Sequence, residues 1–94
     1  MKSTKSYNWS ANKNQLLLEE RGISFERIVF EISIGNEVAV VMHPNQDKYP
    51  GQMISMVEVD DYVYLVPFIE TDSEIFLKTI IPSRKATRQH RSTS

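Results

Sequence analysis

Four cations, Arg84, Lys85, Arg88 and Arg91, follow Pro82 in the stretch PSRKATRQHR, and no acid stands among them. A guanidinium held by a folded chain offers paired N–H donors that match two phosphate oxygens, an arrangement that a freely moving tail does not keep. Lys78 lies just upstream, in IFLKTII (75–81). On a strand it shares a face with Phe76 and Ile80, while Ile75, Leu77, Thr79 and Ile81 take the other. Its ammonium either lifts to solvent along an apolar stem or, on a concave sheet face, points at a ligand. These residues suit the binding of a polyanion, with a solvated, solubilising tail as the alternative.

His43 opens a second candidate stretch, HPNQDKYPG (43–51), and is one of only two histidines in the chain. Histidine is the side-chain type whose unperturbed pKa lies nearest neutrality. Tyr49, in the same stretch, either packs the loop onto the sheet or stacks on an unpaired base. Tyr62, Tyr64 and Phe68 alternate and read as sheet-face residues, and Trp9 reads as an anchor for the helix that follows it. No His/Asp/Glu group has metal-ligand spacing. Three glycines, none in a phosphate-cradling run, leave no sign of a nucleotide cofactor. Neither metal nor cofactor is therefore expected. The absence of cysteine removes disulfides, thiolate sites and a cysteine nucleophile, and fits a cytoplasmic location.

The 94 residues carry a net charge of −1, which hides a division. All twelve acids lie between Glu19 and Glu74, with only Arg21, Arg27 and Lys48 among them, so the middle is −9. The other eight cations lie outside it, with no acid. Salt limits Coulomb forces to about 8–10 Å, so this segregation matters more than the total. Composition is that of one globular domain, 40% hydrophobic and 24% charged. No apolar run approaches the roughly 20 residues of a membrane span, and MKSTKSYNWS lacks the apolar core of a secretory signal.

Residues 1–8 are expected to be a loose start. Ser10 caps a helix to about Arg21, with Leu16, Leu17 and Leu18 as its apolar side and Gly22 as its left-handed end. Ser24 caps a second helix whose Phe25, Ile28, Val29 and Ile32 share one face, and Gly35-Asn36 stops it. Strands follow over 37–43, 52–59, 62–68 and 75–81, with Asp60-Asp61 as a tight hairpin turn. Pro82 ends the last strand, Ser83 caps a helical turn, and 89–94 are expected to be flexible. The fold class is α+β: two N-terminal helices on a twisted, mainly antiparallel sheet of three to four strands, closed by a short C-terminal helical turn.

Three blocks resemble the BrnT family, RelE-like toxins of bacterial type II toxin–antitoxin modules. NWSANKNQLLLEERGISFERIV (8–29) is similar to the family's opening, an aromatic residue, a Lys-Asn-containing helix and an SFE junction into helix 2. QMISMVEVDDYVYLVPF corresponds to its central hairpin, and IIPSRKAT (80–87) to its closing block. The resemblance implies a single RelE-like domain and a ribonuclease that halts translation. It also implies neutralisation by a small antitoxin with a ribbon-helix-helix DNA-binding part, through which alone the pair meets DNA. Arg84 takes the place of the closing block's arginine, continued by Lys85, Thr87 and Arg88, and Lys13 lies in the helix 1 block.

For a ribonuclease these residues favour a metal-free route, in which the ribose 2′-OH attacks the adjacent phosphate. Arg84 and Lys78 would stabilise charge on phosphorus, His43 and Tyr49 would move protons, and Lys13, Lys85 and Arg88 would hold flanking phosphates. The alternative is a non-catalytic module that docks an antitoxin-like regulator, its acidic middle facing a basic partner. Direct binding of a nucleic-acid duplex is disfavoured by the negative middle.

Overall fold

A computed structural model describes residues 5–90. Residues 1–4, with Lys2, and 91–94, with Arg91, lie outside the described residues. Two helices come early, and both begin and end as their capping residues dictate. In α1 (Ala11–Arg21) the Ser10 hydroxyl accepts the Lys13 N–H at 3.2 Å, and Gly22, at φ +69°, donates its N–H back to Leu18. In α2 (Phe25–Ser33) Ser24 accepts the Arg27 N–H at 3.1 Å. Asn14 ties the two together: its side-chain oxygen accepts the Phe25 N–H at 2.7 Å and its amide nitrogen donates to Glu26 at 2.8 Å. Trp9 stacks on Phe25 with ring centroids 5.6 Å apart.

Of the three expected leucines only Leu17 is buried; Leu16 and Leu18 are exposed. Successive helix residues point about 100° apart, so three in a row cannot share a narrow buried stripe.

The sheet holds six strands, β1 (Ser6–Asn8), β2 (Glu37–Met42), β3 (Met53–Val59), β4 (Tyr62–Glu70), β5 (Glu74–Leu77) and β6 (Ile81–Pro82). Their order is β1-β5-β4-β3-β2, with β6 also pairing β4. The expected α+β class holds, but the sheet has six strands where three to four were expected, and one pairing is parallel. Three β-branched or apolar stretches and the Asp60-Asp61 turn, both residues at positive φ, build the central hairpin and its neighbour.

Two departures have clear physical causes. Ser6–Asn8, expected to be loose, pair in parallel with Glu74–Phe76, and Lys5 closes the start with an ion pair to Glu70 at 2.7 Å. IFLKTII is not one strand. Leu77 and Ile80 are both fully buried in the core, three residues apart, which strict alternation forbids. The ladder breaks after Leu77 and resumes at Ile81, so Lys78 does not share a face with Ile80.

Leu17, Ile23, Phe25 and Ile28 meet Val57, Val59, Val66, Phe68, Leu77 and Ile80 in the core between the helices and the sheet. A third helix, α3 (Arg84–His90), packs against β4, where Val63 and Ala86 are buried. Val63 lies outside the main core and, by alternation from Tyr64 and Val66, on the reverse face of the sheet.

Candidate functional site

The cationic C-terminal stretch is held to the sheet by a short set of bonds. Ser83 donates its N–H to the Val63 carbonyl at 3.1 Å, and its hydroxyl accepts the Ala86 N–H at 3.0 Å, capping α3. Thr87, buried, accepts the Val63 N–H at 2.9 Å and donates to the Ser83 carbonyl at 2.7 Å. Both backbone groups of Val63 are thus used to fix one helical turn.

Ala86 and Thr87 face inward, which leaves Arg84, Lys85 and Arg88 exposed on the other side of α3. Arg84 and Arg88, four residues apart, share a helix face. Among the described residues no carboxylate lies within 4 Å of any of these three or of Lys78, so the surface is positively charged and unneutralised.

Lys78 is exposed, its ammonium 5.4 Å from the centre of the Phe76 ring. Its N–H donates to Pro67 at 2.8 Å, four residues along β4 from the Val63 that holds Ser83. At about 3.4 Å per residue the two anchors stand roughly 14 Å apart, a gap that a long side chain can enter from either end. β1 and β5 run parallel, so α1 starts from the end of the sheet at which Lys78 leaves β5. Lys13, half-buried in the first turn of α1, belongs to that end.

His43 and Tyr49 form a separate group. Their rings lie 4.4 Å apart, and the Lys48 ammonium sits 5.5 Å from the Tyr49 centroid. His43 Nδ1 accepts the Asn45 N–H at 3.0 Å, while Gln46 donates to the carbonyls of His43 and Gln52 at 2.8 and 3.0 Å. Tyr49 therefore packs its own loop. His43 donates its N–H to Gln52, next to Met53, which pairs with Phe68. Phe68 lies five residues from Val63 along β4, and three strand spacings separate the β2 side from the α3 side. At about 3.4 Å per residue and about 4.8 Å per strand, His43 and Arg84 are more than roughly 20 Å apart. The six-strand register thus separates His43 and Tyr49 from Arg84, whereas Lys78, anchored at Pro67 beside Phe68, stands about three strand spacings, roughly 14 Å, from the His43 side and no nearer to Arg84.

Two polar groupings were not anticipated from the sequence. Arg27 donates to Glu31 at 2.7 Å and to Asp60 at 3.2 Å, and Asn36 donates to Glu31 at 2.7 Å. These bonds, from Asn36 first and then Arg27, hold the buried Glu31 carboxyl below the usual carboxylate range. The i, i+4 spacing of Arg27 and Glu31 was a usable signal. The second grouping joins Tyr7, Glu37, Ser55 and Glu70 beside a cavity. Ser55, a buried serine inside a strand of apolar residues, was its trace in the sequence.

Among the described residues no three His, Cys, Asp or Glu side chains are grouped to hold a metal ion, and no helix is long and apolar enough to cross a membrane. Compared with protein-family models, with curated proteins and with solved structures, the chain matches none of them.

Proposed function

We propose that the protein is the toxin of a type II toxin–antitoxin module, a metal-independent ribonuclease that acts in the cytoplasm to halt translation. A small antitoxin with a ribbon-helix-helix part neutralises it and carries the pair to DNA. The BrnT-like blocks motivate the reading. The observation that carries it is the lock between Val63 and the Ser83–Thr87 turn, which fixes Arg84, Lys85 and Arg88 on an unneutralised face.

In this reading the RNA supplies its own nucleophile, the ribose 2′-OH. Arg84 and Lys78 stabilise the charge that develops on the phosphoryl oxygens. Lys85, Arg88 and Lys13 hold flanking phosphates. His43 and Tyr49, roughly 20 Å from Arg84 along the sheet, meet a more distant part of the RNA and take no part in proton transfer beside Arg84.

Induction of the gene in a bacterial host tests this. Growth arrest with RNA loss, both abolished by Arg84→Ala, is the expected result; normal growth with intact RNA overturns it. One feature favours the second reading, a non-catalytic module that docks a regulator. β2 is an edge strand on which Val38, Val40, Val41 and Met42 are all exposed. Intact RNA together with tight capture of a ribbon-helix-helix protein encoded by the neighbouring reading frame would establish it.

A further inference from the structure

A cavity of about 180 Å³ opens on the face of the sheet that α1 and α2 share. Its floor is apolar, made by Phe68, Ile75 and Leu77. Its rim is acidic: Glu37 from β2 and Glu70 from β4 border it together with the Tyr7 hydroxyl from β1.

The charge at this rim is not balanced. Each carboxylate has about four lone-pair positions. Ser55, 2% exposed, donates its hydroxyl to Glu37, and Lys5 donates to Glu70 at 2.7 Å. Two carboxylates therefore face one ammonium, and among the described residues no second cation is paired with either. Burial, then Glu37 and Glu70, raise the Tyr7 pKa, as expected of a phenol beside net negative charge. The chain itself already places an alkylammonium on one of the two acids.

We propose that this cavity binds an ammonium or guanidinium head on an apolar stem, the head at the acidic rim to which Glu37 and Glu70 contribute and the stem along Phe68, Ile75 and Leu77. The cavity volume corresponds to about six water-sized groups, enough for a stem of a few carbons with its head. A bare metal cation would leave the apolar floor unused, whereas an organic cation satisfies floor and rim together. Such a head reaches the site either on a free small amine or on a lysine or arginine side chain of a partner protein. No residue of α3 lines the cavity, so the proposal goes beyond the ribonuclease reading and does not depend on it.

The test is an amide-shift NMR titration of the full chain with three probes: n-butylguanidinium, its neutral counterpart n-butylurea, and a blocked Val-Arg-Val peptide. The expected result is saturable shifts at Tyr7, Ser55 and Phe68 with a guanidinium probe, at least ten-fold tighter than with butylurea. Glu37→Gln should weaken binding about ten-fold. Glu70→Gln, which leaves the Ser55 bond untouched, should do the same if the first variant disturbs the fold. Saturation by free butylguanidinium supports a small-amine ligand; saturation by the peptide alone supports a partner's side chain. Equal binding of butylurea, or no saturable shift with either cationic probe, overturns the proposal.

Discussion

The Val63 amide donates to the Thr87 hydroxyl at 2.9 Å in a buried setting, and through this bond the end of the chain becomes part of the sheet. Thr87→Val keeps the shape and removes the acceptor. A buried N–H left without a partner costs about 1–3 kcal/mol. Urea unfolding should show a loss of that size, and hydrogen exchange at the Val63 amide should accelerate more than at Val57 in the core.

The separation of His43 from Arg84 predicts unequal effects on RNA cleavage. Removing a group that stabilises transition-state charge typically costs about 10²–10³-fold. Arg84→Ala should fall in that range and Lys78→Ala should lose at least ten-fold, while His43→Ala should stay within about three-fold of the parent. A rate measured on purified RNA with each purified variant checks this. A His43→Ala loss as large as that of Arg84→Ala would contradict the assignment.

Glu31 should contribute to the acid limb of stability. Its carboxyl titrates below its unfolded value because Asn36 and Arg27 hydrogen-bond the charged form. The folded state therefore binds fewer protons. The contribution is complete above the unfolded carboxylate pKa of about 4.3 and disappears as pH falls through the folded value. Glu31→Gln should be less stable than the parent at pH 7, and the difference should shrink as pH is lowered below 4.

Tyr7 should ionise above the ordinary tyrosine value of about 10, because burial and the carboxylates of Glu37 and Glu70 disfavour phenolate. A raised folded pKa means that this group's contribution is intact below the unfolded value and is lost as pH rises through the folded one. Ultraviolet difference titration should show Tyr7 ionising late, and Glu37→Gln should move it back toward 10.

Asp60 and Asp61 hold φ of +52° and +68° at the β3–β4 turn. A side chain in this left-handed region costs about 1–2 kcal/mol relative to glycine, less for Asp than for bulkier residues. Asp60 is also engaged by Arg27, so Asp61 is the position to change. Asp61→Gly should raise stability by up to about 1 kcal/mol, and Asp61→Val should lower it by more, both measured by thermal unfolding.

Much of this architecture was legible because its signals are local. Ser10, Ser24 and Ser83 all accept an N–H three residues on, and Gly22 ends α1 at a positive φ. The central hairpin announced itself by β-branched runs around Asp60-Asp61. What could not be read was the pairing of short, distant segments. Ser6–Asn8 has no strand pattern of its own and becomes one because β5 offers an open edge. The break after Leu77 reflects the core's need for Ile80, which overrides alternation.

The candidate site shows the same split. A proline, a capping serine and the cations Arg84, Lys85 and Arg88 marked the C-terminal surface. The distance from His43 to Arg84 depends on the sheet order, which no local pattern reveals.

The parallel pairing of Ser6 with Glu74 has a consequence for the order in which the molecule is assembled. The first strand must wait until some seventy further residues have left the ribosome before its partner exists. Contacts between such distant positions close a long loop and slow folding. During synthesis the helices and central hairpin can settle first, and β1 can be stapled in place only once β5 has been made.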